Sequence, residues 1–158
     1  TQARVRRAPP FGEKRCVLFA TDLTPHAEKA LPTASRLASR LNLPLRLLTV
    51  AAPYESPGDG AVRMPLSMAA RQQQHEALLA GLRRLASTLP ADIDVALQVD
   101  ETPEVAPAIV AAAEAVDAAF LVMATHGRKG ITRLLLGSVA ETVVHRSAVP
   151  VVCVPQRD

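Results

Sequence analysis

Met123-Ala-Thr-His-Gly-Arg-Lys-Gly-Ile-Thr-Arg-Leu-Leu-Leu-Gly-Ser-Val-Ala-Glu141 is the stretch on which the reading of this chain turns. The apolar run Ala119 to Ala124 arrives at it as a buried strand would. A glycine-containing loop follows, and Gly137-Ser138 then opens a helix expected to end near Arg146. A strand feeding a glycine loop and a helix start is a common way to hold phosphate. The first amides of a helix have no internal acceptor, and the helix dipole favours an anion there. Ser138-Val-Ala-Glu141 also has the spacing of a capping box, in which Ser138 caps the helix and Glu141 reaches back.

Working outward, the chain alternates short apolar runs with helical patterns. Cys16-Val-Leu-Phe-Ala20 and Leu45 to Val50 are continuous apolar runs, as in strands buried on both faces. Between them Thr24-Pro25 supplies an N-cap and an N1 proline. Apolar residues from Ala27 to Leu41 then keep helical spacing, with Pro32 expected to kink the helix. A long Pro- and Gly-rich loop, Ala51 to Pro65, precedes a helix over about Leu66 to Leu89. Ile93, Val95, Leu97 and Val99 alternate with polar or small residues, so this third strand is half-exposed and predicted at a sheet edge. A third helix starts at Thr102-Pro103 or at Pro107 and ends near Ala115. Val151-Val-Cys-Val154, bracketed by Pro150 and Pro155, closes the pattern as a short edge strand.

This βαβαβαβαβ order predicts one α/β domain with a parallel sheet covered on both faces. Strands one, two and four read as central, which gives a Rossmann-like, doubly wound sheet in the flavodoxin-like order 3-2-1-4-5. Its switch point lies between strands one and four, where ligands bind beyond the strand ends. Asp22 and the Ala124–Gly137 loop are both expected there.

Composition narrows the function. Three of the eighteen basic residues, Arg4, Arg6 and Arg7, lie in the first ten positions, which carry no acid. The remaining fifteen balance fifteen acidic residues, so residues 1–12 read as a basic flexible tail and residues 13–158 as a neutral domain. Nucleic-acid binding is not expected: aromatics make up only 3% of the chain, too few for a base-stacking platform. No run is long enough to span a bilayer, and no signal-peptide pattern opens the chain, which begins at Thr1 as a processed or excised chain would. Cys16 and Cys153 lie inside predicted strands and read as buried thiols in a reducing, cytoplasmic setting. His26, His75, His126 and His145 share no metal-ligand spacing, so no metal site is expected from them.

Residues Val122 to Glu141, followed by Val149-Pro-Val-Val-Cys-Val154, closely resemble universal stress proteins. Phe19-Ala-Thr-Asp22 and Leu47-Leu-Thr-Val50 look like that family's first and second strand endings. The nucleotide-binding branch carries Gly-x2-Gly-x9-Gly-Ser/Thr. On this chain the second glycine is Gly127, and nine residues later stand Gly137 and Ser138. The first glycine falls on Ala124, a departure that bears on the ribose side. The resemblance implies binding of ATP or AMP, with Mg²⁺ arriving on the nucleotide. Asp22 and Val50 would line the adenine–ribose side, and Gly127, Gly137 and Ser138 the phosphates. Arg128 and Lys129 would add charge to a phosphate tail. It also implies a homodimer through the edge strand Val151–Val154, acting as a stress-response sensor or adaptor with an unidentified protein partner.

Two other readings stay open. A dimeric scaffold of the same family without nucleotide is the reading that Ala124 favours. A slow ATP hydrolase is the other, although no residue stands out as a base or as a group positioning water, so catalysis is not expected. Ser138 lacks the Gly-x-Ser-x-Gly surroundings of a nucleophile. Asp22 has no neighbouring acid, as a phosphoacceptor site would require. It reads instead either as a partner for backbone donors or as an acceptor for a ribose hydroxyl.

Overall fold

The computed structural model describes residues 5–7, 15–52, 65–125 and 137–155. Six parallel strands form one sheet: β1 (Val5–Arg7), β2 (Val17–Ala20), β3 (Leu45–Ala51), β4 (Val95–Glu101), β5 (Phe120–Thr125) and β6 (Val151–Pro155). Their order is β1-β4-β3-β2-β5-β6. The five strands expected from sequence therefore stand in the order 3-2-1-4-5. β1 adds to them, pairing Val5 with Val95 and Arg7 with Leu97. The half-exposed strand predicted at an edge, β4, is thus flanked on its outer side. A free ladder of backbone donors and acceptors recruits a strand whatever its side chains, so hydropathy gives no sign of it.

β2 is the axis of the fold. It pairs with β3 through Val17–Leu45 to Ala20–Leu48, and with β5 through Val17–Phe120 to Ala20–Met123. Its pleat sends alternate residues to opposite faces. Val17 and Phe19 meet α2 (Leu31–Leu41) and α3 (Met68–Ser87) through Ala34, Ala38, Leu82 and Leu85. Leu18 and Ala20 meet α4 (Val105–Ala115) and α5 (Ser138–Arg146) through Ile109, Ala113 and Val143. Val17, Leu18 and Phe19 are all fully buried. Each such side chain contributes about 1.5–3 kcal/mol by leaving water. That two-sided burial is why the strand reads as a continuous apolar run.

Pro32 does more than kink the first helix. The segment divides into α1 (Pro25–Glu28) and α2, with Pro32 in the opening turn of α2. A proline there costs no hydrogen bond, because the first-turn amides have no intrahelical acceptor. Thr24 caps α1, its Oγ1 accepting the Ala27 amide at 3.2 Å. Asn42 ends α2 with φ 52°, a left-handed conformation that asparagine tolerates. α3 begins where Ser67 Oγ accepts the Ala70 amide, two residues beyond the start read from periodicity. α4 starts at Val105, between the two prolines proposed as its beginning.

Candidate functional site

Parallel strands β2, β3 and β5 all end on one side of the sheet, and a cavity of about 230 Å³ opens there. Thr21 and Asp22 border it after β2, Leu48 and Val50 from β3, and Met123 and Ala124 from β5. Val105 and Ile109 of α4 and Ser138, Val139 and Ala140 of α5 close it from one face, with Ala27 of α1 contributing at the rim. Asp22, Val50, Ala124, Gly137 and Ser138, singled out from sequence, therefore meet at one place. Gly127, Arg128 and Lys129, along with His126, lie outside the described residues. Val105, Ile109 and Met123 were missed. Their apolar spacing marks them equally as core, and only the strand order brings them to the switch point.

The walls are chiefly apolar, with polar groups at two points. The first is the turn after β2. Asp22 Oδ1 accepts the Thr24 amide at 2.9 Å and the Thr24 hydroxyl at 2.6 Å. The Leu23 amide donates to Thr21 Oγ1 at 3.0 Å. Asp22 thus satisfies backbone donors, as one sequence reading held, yet it remains exposed at the cavity. Leu23 sits at φ 60°. The other described non-glycine residues with positive φ are Asn42 and Asp117, whose short polar side chains suit that region. For leucine the conformation costs about 1–2 kcal/mol, and the turn must hold it there.

The second polar point is the start of α5. The capping box expected at Ser138 and Glu141 does not form. Gly137 is the N-cap, with φ −60° and ψ 156°, and no side chain caps the helix. Glycine has no atoms to offer the first-turn amides, and Ser138, displaced into the helix as N1, points no oxygen back to them. The first helical bond runs from the Glu141 amide to the Gly137 carbonyl at 2.9 Å. The amides of Ser138, Val139 and Ala140 precede it, and all three residues border the cavity. An uncapped helix start facing an apolar slot is suited to an anionic group carried on an apolar ring.

Ala124 belongs to β5, paired with Val154 of β6, and its φ is not positive. The position needs no glycine for its backbone conformation, so the methyl is accommodated as ordinary strand geometry. Its side chain packs with Val122 and Val154 on the α2–α3 face of the sheet, so it borders the cavity as part of the strand rather than by filling it. A Cβ built on Gly137 would meet nothing within 4 Å, so that glycine marks open space at the wall. Among the described residues no three His, Cys, Asp or Glu side chains are grouped to hold a metal ion. No described helix is long and apolar enough to cross a membrane.

Comparison with known proteins agrees with this architecture. The model of the universal stress protein family matches residues 14–155. A search of curated proteins found no match. Among solved structures, the chain is similar to a universal stress protein in complex with cAMP, at 24% identity and a TM-score of 0.65. That alignment covers 90% of this chain and 98% of the other. It is similar to a Burkholderia pseudomallei member of the family at 26% identity and 0.62, covering 89% and 96%. An Archaeoglobus fulgidus universal stress protein in complex with dAMP is 19% identical with a TM-score of 0.56, covering 89% and 97%. Sheet order, the cavity at the switch point and a family match spanning nearly the whole chain lead to one conclusion: this chain belongs to the universal stress protein family.

Proposed function

We propose that this protein binds an adenine nucleotide, ATP or AMP, and works as a homodimeric sensor or adaptor rather than as an enzyme. The observation that carries the reading is the uncapped start of α5. It borders the same cavity as Asp22 and the apolar walls from Val50, Met123 and Ile109. The apolar walls would take the base, and Asp22 would accept from a ribose hydroxyl. The amides of Ser138 to Ala140 would receive the phosphate nearest the sugar. Structural neighbours in complex with cAMP and dAMP support the choice of an adenine nucleotide. Gly127, Arg128 and Lys129 would contact further phosphates, and Mg²⁺ would travel on the polyphosphate. The geometry of Ala124 weakens the case for a family scaffold without nucleotide.

Calorimetric titration of AMP and ATP tests the reading, with a dissociation constant in the millimolar range or tighter expected. Asp22→Asn keeps an acceptor for the Thr24 amide but removes the charge, and should weaken AMP binding roughly tenfold. Purified protein that held neither nucleotide would sink the reading. The dimer would form through β6, which pairs with β5 and has no second partner strand among the described residues. Sedimentation velocity over a dilution series should then show a monomer–dimer equilibrium. A monomer at every concentration would remove the dimer from the reading.

A further inference from the structure

The β2–α1 turn carries Asp22 to the cavity, where Thr21 ties it to β3 through its amide and the Leu48 carbonyl at 2.9 Å and accepts the Leu23 amide on Oγ1. A second support comes from behind, from α3, a helix that contributes no residue to the cavity walls. Leu23, at φ 60°, packs against the core that α3 helps to build. The site it occupies on α3 is Gly81. A Cβ at position 81 would lie 2.7 Å from Leu23 Cδ1, with Cδ2 and Cγ at 3.5 and 3.6 Å. Glycine is a poor helix former, and Gly81 lies in the interior of a 20-residue helix. One helical turn on, Arg84 is paired with Glu28 at the end of α1, Nη1 lying 3.3 Å from Oε2. α3 therefore grips both ends of the segment between Leu23 and Glu28. Asp22 and Ala27, which border the cavity, lie beside those two grips.

We propose that Leu23 and Gly81 are positioning residues for the nucleotide site. The notch at Gly81 receives the Leu23 side chain and holds the strained turn so that Asp22 faces the ribose. The proposal rests on the nucleotide reading above. It explains why leucine occupies a left-handed position and why glycine interrupts an otherwise helix-favouring run, Ala77-Leu-Leu-Ala-Gly-Leu82.

Gly81→Ala, Leu23→Ala and the double variant test it. In nucleotide-free protein, exchange of the Leu23 and Thr24 amides reports the turn directly. In Gly81→Ala these amides should exchange roughly tenfold faster, and AMP should bind roughly fivefold more weakly. The melting temperature should hold or rise, because alanine is the better helix former. A purely structural role for Gly81 would not separate stability from affinity in this way. Leu23→Ala should weaken AMP binding similarly, and the double variant should lose less than the two single losses combined, since the clash is gone. Unchanged exchange in Gly81→Ala overturns the proposal. So does faster exchange with wild-type affinity, or strict additivity in the double variant. If the parent chain bound no AMP, the nucleotide reading would fail on its own. The exchange rates would then still decide whether the notch holds the Asp22 turn.

Discussion

Ala124 illustrates how little a motif position means without its backbone angles. Glycine in a motif can mark a positive φ, a close approach, or only a small side chain. At Ala124 the strand ladder to Val154 continues without a left-handed residue, so the requirement is one of size. Ala124→Gly should therefore change AMP affinity by less than about threefold, while costing about 0.5–1 kcal/mol of stability through backbone entropy. Ala124→Leu should instead overpack the α2–α3 side, where Ala124 lies with Val122 and Val154, and cost about 1–3 kcal/mol of stability with a smaller loss of affinity. Calorimetry on the two variants separates size from conformation. Cys16 makes a different point. Burial pushes its thiol up from the ordinary 9.0, with Arg46 opposing and Asp117 adding to the rise. The thiol is buried among Leu18, Ala113 and Leu121, so the folded chain keeps a proton that the unfolded chain loses. Stability from this group is intact below the unfolded value and declines as pH rises above it. Melting temperatures between about pH 8 and pH 10.5 should fall less steeply in Cys16→Ala than in the parent chain.

Helix starts in this protein are of two kinds, and α2 and α4 as well as α5 begin without a side-chain cap. α1 and α3 are capped by Thr24 and Ser67, each side chain accepting one first-turn amide. α5 is left open by Gly137. Gly137→Asp should expose the consequence of that difference. φ of −60° and open space at the Cβ make the substitution sterically easy. Aspartate would cap α5 and complement its dipole, raising stability by a few tenths to about 1 kcal/mol. The same carboxylate would compete with phosphate for the amides of Ser138 to Ala140. Affinity for AMP should fall by more than about tenfold, and affinity for adenosine much less. Equal losses for the two ligands would place the phosphate elsewhere. At the other end of the chain, the break between α1 and α2 shows a proline used as a helix start, where its missing N–H is harmless.

For the molecule as a whole, β2 decides stability and site together. Phe19 is fully buried against α2 and α3, and its strand leads directly into Thr21 and Asp22. Phe19→Ala should cost about 3–5 kcal/mol, from lost transfer energy and the cavity left behind. Urea unfolding should remain a single transition with a lower midpoint and little change in slope. Two separate transitions would mean that the two faces of the sheet do not unfold as one unit. The same strand is hydrogen-bonded to β3 and β5, whose ends supply Val50 and Ala124. Loosening it should therefore weaken nucleotide binding along with stability.

Much of this was determined by the sequence alone. Continuous apolar runs at Cys16–Ala20 and Ala119–Ala124 mark strands buried on both faces, and alternation over Ile93–Val99 marks one that is not. Asp22 and the Ala124–Gly137 loop could be placed at the switch point from strand order alone, while Val50, Gly137 and Ser138 were named through the resemblance to the family. Other features were settled only in three dimensions. β1 is held by backbone pairing to β4, which leaves no hydropathic trace. Ser138 or Gly137 as the cap of α5 depends on a single pair of dihedral angles. Met123, Val105 and Ile109 read as core until the sheet order puts them at its edge. Leu23 and Gly81 lie 58 residues apart; no local pattern relates them. Only packing brings a left-handed leucine against a helix glycine, because local periodicity records which face is buried and not what lies across from it.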